Sequence, residues 1–534
     1  MILKILMIVL FFTVTIAIGY FTRKSASNVG GFVLAGRNIG PWLSAFAYGT
    51  TYFSAVVFVG FAGQFGWKYG MAALWIGLGN AFIGSLIAWY VLGARTRAMT
   101  HHLGAQTMPE FFGSRFKSKP LRIAAAGIIF IFMIPYTASV YNGLSRLFMM
   151  AFDLKSFGMD FEVVIIGMAI LTCIYVILGG YKATVVNDTV QGVIMVVGIS
   201  AVILAVLSSF GGFGAAVTSL SLIPNDGAAP GDAQGVFTSM FGPDIPNLIG
   251  VLILTSLGAW GLPQMISKFY ALKSTNMIRT GAIVSTVFAL IIAGGSYFLG
   301  GFGRLAPQIG EVAWRDEAAN APVFDSIVPT MLSGLPEILM GLIVVLVLSA
   351  SLSTLSSLVL TSSSTLTIDF IRGNIVKKMT DGSQLFIMRV LIVVFVLISA
   401  IIGIVQYNSP VTFIAQLMAI SWGALAGSFL GPFIYGLYWK RTTVPAVWAS
   451  FIFAVGLTVS NFILGLDFTP GSPFIASPIN AGAIAMVGSL IIVPLVSLIT
   501  PAPDKEETTL LFKESYKNLH DRPIDSAGRS TDEK

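Results

Sequence analysis

The chain is a succession of apolar runs separated by short polar or Gly/Pro-rich breaks, and most runs are about the 20 residues that a helix needs to cross a bilayer. The runs predict thirteen helices, at 3-22, 41-63, 71-94, 122-150, 161-179, 187-210, 246-270, 278-302, 334-371, 386-407, 411-436, 444-466 and 480-500. The remainder is short loops, two longer ones at 211-245 and 303-333, and a charged tail, 501-534. The pattern describes an all-α polytopic membrane protein with one membrane domain over 1-500, and the tail is expected to be a disordered, solvated end.

Two of the runs are interrupted. The middle of the second reads "SAFAYGTTYFSAVVF", where Gly49, Thr50, Thr51 and Ser54 are weak helix formers suited to a locally unwound backbone. Five runs later the seventh reads "LTSLGAWGLPQMI", broken by Gly258, Gly261 and Pro263. Five is an odd offset, so the two broken helices run in opposite directions. Interrupted spans at matching positions of two inverted halves point to a transporter binding site.

The ninth run poses a different question. Twelve of the nineteen residues from Ser349 to Thr367 are Ser or Thr, with no charge before Asp369. Most of these hydroxyls are expected to bond back to their own helix or across to a neighbour. Ala350, Ser353 and Thr354, however, are spaced i, i+3 and i+4, so one carbonyl and two hydroxyls share a face. Opposite the unwound carbonyls of the second run, they offer hard oxygen donors without a charge, which suits sodium. Within the spans, acidic residues stand only at the ends, as Asp188, Glu337 and Asp369 do, so no carboxylate relay for protons is expected at the midplane.

Composition agrees: 55% of residues are hydrophobic, 10% are charged, and mean hydropathy is +0.85. The net charge of +7 is topological and not a nucleic-acid footprint, because the basic residues stand singly between apolar runs. With the N-terminus outside, the inner loops carry nineteen Lys and Arg and the outer ones six, and the other six lie in the tail. The N-terminal run resembles a signal peptide only in Lys4; no small-residue cleavage site follows, so a retained helix is expected. Cys173 and three histidines build neither a disulfide nor a metal or catalytic cluster, so no enzyme activity is expected.

"FVLAGRNIGPW", "VVNDTVQG", "GLPQ", "SASLSTLSS" and "GLYWKRTT", in that order, resemble the sodium/solute symporter family over residues 3 to 500. The resemblance implies a LeuT-type 5+5 core, with inverted repeats at about 41-210 and 246-436 and peripheral helices at 3-22, 444-466 and 480-500. It also implies a sodium site formed by the carbonyls of Thr50, Phe53 and Ala350 and the hydroxyls of Ser353 and Thr354. By the same resemblance Asp188 lies on the sodium path; read by itself, it is a loop-end charge paired with Lys182 or Arg389. Substrate contacts are expected beside the breaks, at Tyr52, Ser54, Tyr136, Trp260 and Gln264. "IPYTAS" is similar to the family's sodium/proline members, and "TTYFSA" with "NDTVQG" to its sodium/pantothenate members.

The expected protein is a sodium-coupled importer of a carboxylate, amino acid or vitamin-like acid, working in the plasma membrane with a cytoplasmic C-terminus. Its partners are lipid, sodium and a small solute, with no nucleic acid. The alternatives are a proton-coupled carrier of the same fold and a transporter-like solute sensor.

Overall fold

Helix occupies each of the thirteen apolar runs, as lipid requires of a backbone that finds no water to bond. The computed structural model describes residues 2–152, 154, 160–225, 235–308, 315–316, 321–372, 374–376, 378–408, 414–464 and 477–520. Among these, ten helices are long and apolar enough to cross a membrane, and the bent pair Ile245–Gly261 and Pro263–Tyr270 makes an eleventh. The only sheet among the described residues is a two-residue pairing of Arg315–Asp316 with Ala321–Pro322.

The count differs from thirteen for two local reasons. The second run stops at Tyr52, and its remainder continues through Gly70, where φ is 58°, toward His102. The fifth run keeps only Phe161–Ile174 as an apolar helix, too short to count as a span, and the chain kinks between the fifth and sixth runs at Gly180, with φ 56° and ψ −165°, a conformation that a Cβ would disfavour. Asp188, expected at the start of a span, therefore lies two turns inside one and is fully buried.

The hydroxyl helix, Glu337–Thr365, is largely buried, packed mainly against Phe161–Ser209 and Lys119–Phe152. Its back-bonded hydroxyls include Ser349 to Val345 O at 2.7 Å, Ser363 to Val359 O at 2.8 Å and Thr367 to Ser363 O at 2.8 Å. Ile2–Thr22 and Asp381–Asn408 instead turn Leu6, Phe21, Phe386 and Leu397 outward, an apolar surface that fits lipid.

The tail departs from the expectation of disorder. Lys505–His520 is a helix that lies along Ala94–His102, while 521–534 lie outside the described residues. Phe512 and Tyr516, one turn apart, are buried. Tyr516 donates to Leu437 O at 2.7 Å, and Arg95 stands 4.8 Å from its ring. Arg115 stands 5.0 Å from the ring of Phe512, and burial pushes its guanidinium down to about 10, still charged at neutral pH. Lys117 pairs with Glu507. Burial of each aromatic contributes about 1.5–3 kcal/mol, so Phe512→Ala/Tyr516→Ala should undock the helix. Trypsin should then cut at Lys505 and Lys513 while the membrane domain stays intact; an unchanged digestion pattern would contradict this docking.

Candidate functional site

The first break has a specific hydrogen-bond origin. Pro41–Tyr52 closes with Phe53 N onto Gly49 O at 3.1 Å, and Phe53 itself is extended, with φ −110° and ψ 103°. Ser54 restarts the chain as a cap, its hydroxyl accepting from Val56 N at 3.2 Å. Thr50 O and Thr51 O, whose helical donors would have been the amides of Ser54 and Ala55, are thereby left to other partners.

The hydroxyl helix supplies those partners. Ser353 Oγ donates to Thr50 O at 2.9 Å and lies 3.1 Å from Ala350 O. Thr354 Oγ1 lies 3.3 Å from Thr50 O, 3.2 Å from Thr51 O and 3.1 Å from Ala350 O. Five neutral oxygens from two helices thus converge in a fully buried spot. The donor set fits a bare alkali cation: three carbonyls have lone pairs to spare, and each hydroxyl can rotate its proton away and present an oxygen. Four of the five predicted sodium-site residues meet here. Phe53 stands at the break and, with Ser54 and Ala350, lines a small cavity beside it. Thr51 contributes a carbonyl that the sequence reading did not include.

The second break follows from Pro263, which has no N–H for Ala259 O and bends the span by 43° at an extended Leu262. Tyr52 reaches across to it, its hydroxyl donating to Thr255 O. The ring of Tyr52 stacks on Phe53 at 4.4 Å and on Trp422 at 6.2 Å, and Trp422 meets Tyr136 edge-on at 5.8 Å. Gly258 lies so close to the Trp422 ring that a Cβ would come within 2.4 Å of it. Trp260 donates to Ile83 O at 2.9 Å, next to Gly84, which lies under the Tyr52 hydroxyl. Gln264 is fully buried, and neither atom of its amide has a partner among the described residues. Trp422 was missed by sequence reasoning. Its one signal is a large aromatic set among small residues in "SWGALAG".

Asp188 is paired with neither Lys182 nor Arg389. Its cation is Lys268, from the second broken helix, at 3.8 Å, with both side chains buried. Lys268 donates to Ser357 Oγ at 3.0 Å, and Ser357 shares a hydrogen bond of 3.0 Å with Thr51 Oγ1. A buried ion pair is therefore linked through two hydroxyls to the oxygen cluster.

Residues 32–453 match the model of the sodium:solute symporter family. Sodium/proline symporters of Staphylococcus aureus, for example from strains JH9 and NCTC 8325 / PS 47, are 29% identical over 447 residues, 82% of this chain and 81% of theirs. A solved Na+-coupled sialic acid symporter, in a substrate-bound outward-open state, superposes with a TM-score of 0.73 at 16% identity, covering 94% of this chain and 99% of that one.

Proposed function

This chain belongs to the sodium:solute symporter family, and from that premise we propose that it imports a small carboxylate, amino acid or vitamin-like acid together with sodium bound at Thr50, Ala350, Ser353 and Thr354. The observation that carries this reading is the convergence of five uncharged, buried oxygens where the broken first helix crosses the hydroxyl helix. Thr51 O completes the shell, and Phe53 holds the break open.

Sodium at this junction would tie a broken helix to the hydroxyl helix and favour the arrangement in which both are engaged. Coupling needs no more than that, because a ligand shifts a conformational equilibrium only by its difference in affinity between states. The solute binds beside the ion, against Tyr52, Tyr136, Trp260 and Trp422. Ser54 lies at the break, and Gln264 supplies a polar group that otherwise stays unpaired at a cost. Asp188 lies on the route by which sodium leaves. The distribution of Lys and Arg supports an outer N-terminus and a cytoplasmic C-terminus in the cell membrane.

A proton-coupled carrier of the same fold is the second reading, favoured by the buried Asp188; against it, the oxygen cluster itself holds no titratable group. Proteoliposomes loaded for counterflow at fixed pH separate the two. Uptake of radiolabelled proline, pantothenate, short monocarboxylates and sialic acid is measured in sodium and again in choline. At least one solute should enter in sodium and fall to background in choline, and uptake that survives choline would overturn sodium coupling.

A further inference from the structure

Lys268 is the only charged residue lining a narrow polar cavity beside the second break, among the described residues. Its ammonium lies 5.2 Å from the ring of Tyr181 and spends one donor on Ser357. Tyr181 and Tyr270 line the same cavity, and their hydroxyls are buried and have no partner among the described residues. An ammonium with donors to spare and two idle phenols form a receptor for a carboxylate, whose two oxygens offer about four lone-pair sites. The space admits a small polar group rather than a whole solute. Lys268's present counter-charge is loosely held: Asp188 stands at 3.8 Å, and neither of its oxygens accepts a hydrogen bond among the described residues.

We propose that Lys268 receives the solute's carboxylate on its way to the inner face, and that Asp188 and Lys268 part in exchange for the departing sodium and carboxylate. This rests on the sodium-coupled reading above. The exchange conserves charge: a carboxylate–ammonium pair plus sodium and a carboxylate become Asp188 with sodium and Lys268 with the solute. At no point does a lone ion stand in the low-dielectric interior, where it would be costly. Thr51 and Ser357 connect the two sites, since Thr51 O belongs to the oxygen cluster and Ser357 holds the ammonium. The solutes that use this route carry an exposed carboxylate.

The test uses the full-length protein in nanodiscs with Cys173→Ser and Thr361→Cys, which puts one thiol in the cavity wall. Its modification by an anionic sulfonatoethyl methanethiosulfonate is compared with that by the cationic trimethylammonioethyl reagent, each normalised to a free thiol. The anionic reagent should react faster by about tenfold or more, as expected where a cleft concentrates counter-ions. Added sodium should widen the difference by occupying Asp188, and acetate should protect the thiol. Lys268→Arg should retain the preference. Lys268→Gln should lose it, as should Asp188→Asn/Lys268→Gln, which leaves no unpaired charge behind. Equal rates, a cationic preference, no modification by either reagent, or a preference that persists in the double variant would each overturn the proposal. If sodium-dependent uptake is intact while the two rates are equal, only this inference fails; if uptake is indifferent to sodium, the coupling itself fails.

Discussion

Thr354→Val is expected to raise the sodium concentration for half-maximal uptake by roughly ten- to hundredfold, the scale of losing one charge-assisted oxygen contact of about 1.5–3 kcal/mol. Valine keeps the branched shape and removes only the oxygen, so packing is nearly preserved. Thr354→Ser keeps the oxygen and should remain close to the parent. Ser353→Ala should behave like Thr354→Val, because its Oγ faces the same two carbonyls, Thr50 O and Ala350 O. Two hydroxyls that serve one ion should not act independently, so the double variant should deviate from additivity. Ser349 is the internal control: it bonds back to Val345 O within its own helix, and Ser349→Ala should leave sodium dependence unchanged. The measurement is initial uptake against sodium concentration, with surface expression and melting temperature alongside. Identical sodium curves for parent, Thr354→Val and Ser353→Ala would remove the ion from this junction.

The second large effect concerns the Asp188–Lys268 pair. Removing either partner leaves the other as an uncompensated charge in a site that is at most 1% exposed, and breaking such a pair typically costs about 3–5 kcal/mol. Asp188→Asn and Lys268→Gln should therefore each lower the melting temperature markedly. Asp188→Asn/Lys268→Gln should recover most of that loss, since replacing both charges of a buried pair by neutral groups is often near neutral. The loose geometry makes the recovery more complete: no hydrogen bond to Asp188 is given up. If the double variant is as unstable as the sum of the singles, the two charges do not compensate each other in the folded protein. Transport should not return with stability, because the neutral pair has nothing to exchange.

The parts of this arrangement differ in how visible they were beforehand. The break at Pro263 was legible because proline's missing N–H acts within its own helix, whatever surrounds it. The face shared by Ala350, Ser353 and Thr354 was legible for a similar reason, as spacing alone fixes it. Thr51 and Ser357 were not: they are 306 residues apart and meet only when two helices cross. The tail was judged by its charge. Its signal was Phe512 and Tyr516 at i and i+4, an apolar stripe whose partners, Arg95, Arg115 and Leu437, come from three other segments. Asp188 lies deeper than the composition suggests, since the helix after the kink at Gly180 starts at once, through the stretch 181–186 that reads as a loop.

The sequence by itself determined that the protein lives in lipid, roughly where most of its spans lie, and that the second and seventh runs break, because hydropathy, proline and helical spacing act locally. Only the tertiary structure decided which carbonyl meets which hydroxyl, that Lys268 faces Asp188, and that Trp422 joins Tyr52 to Tyr136. Those choices depend on how helices cross, and a crossing is set by the close packing of whole faces that no single segment contains.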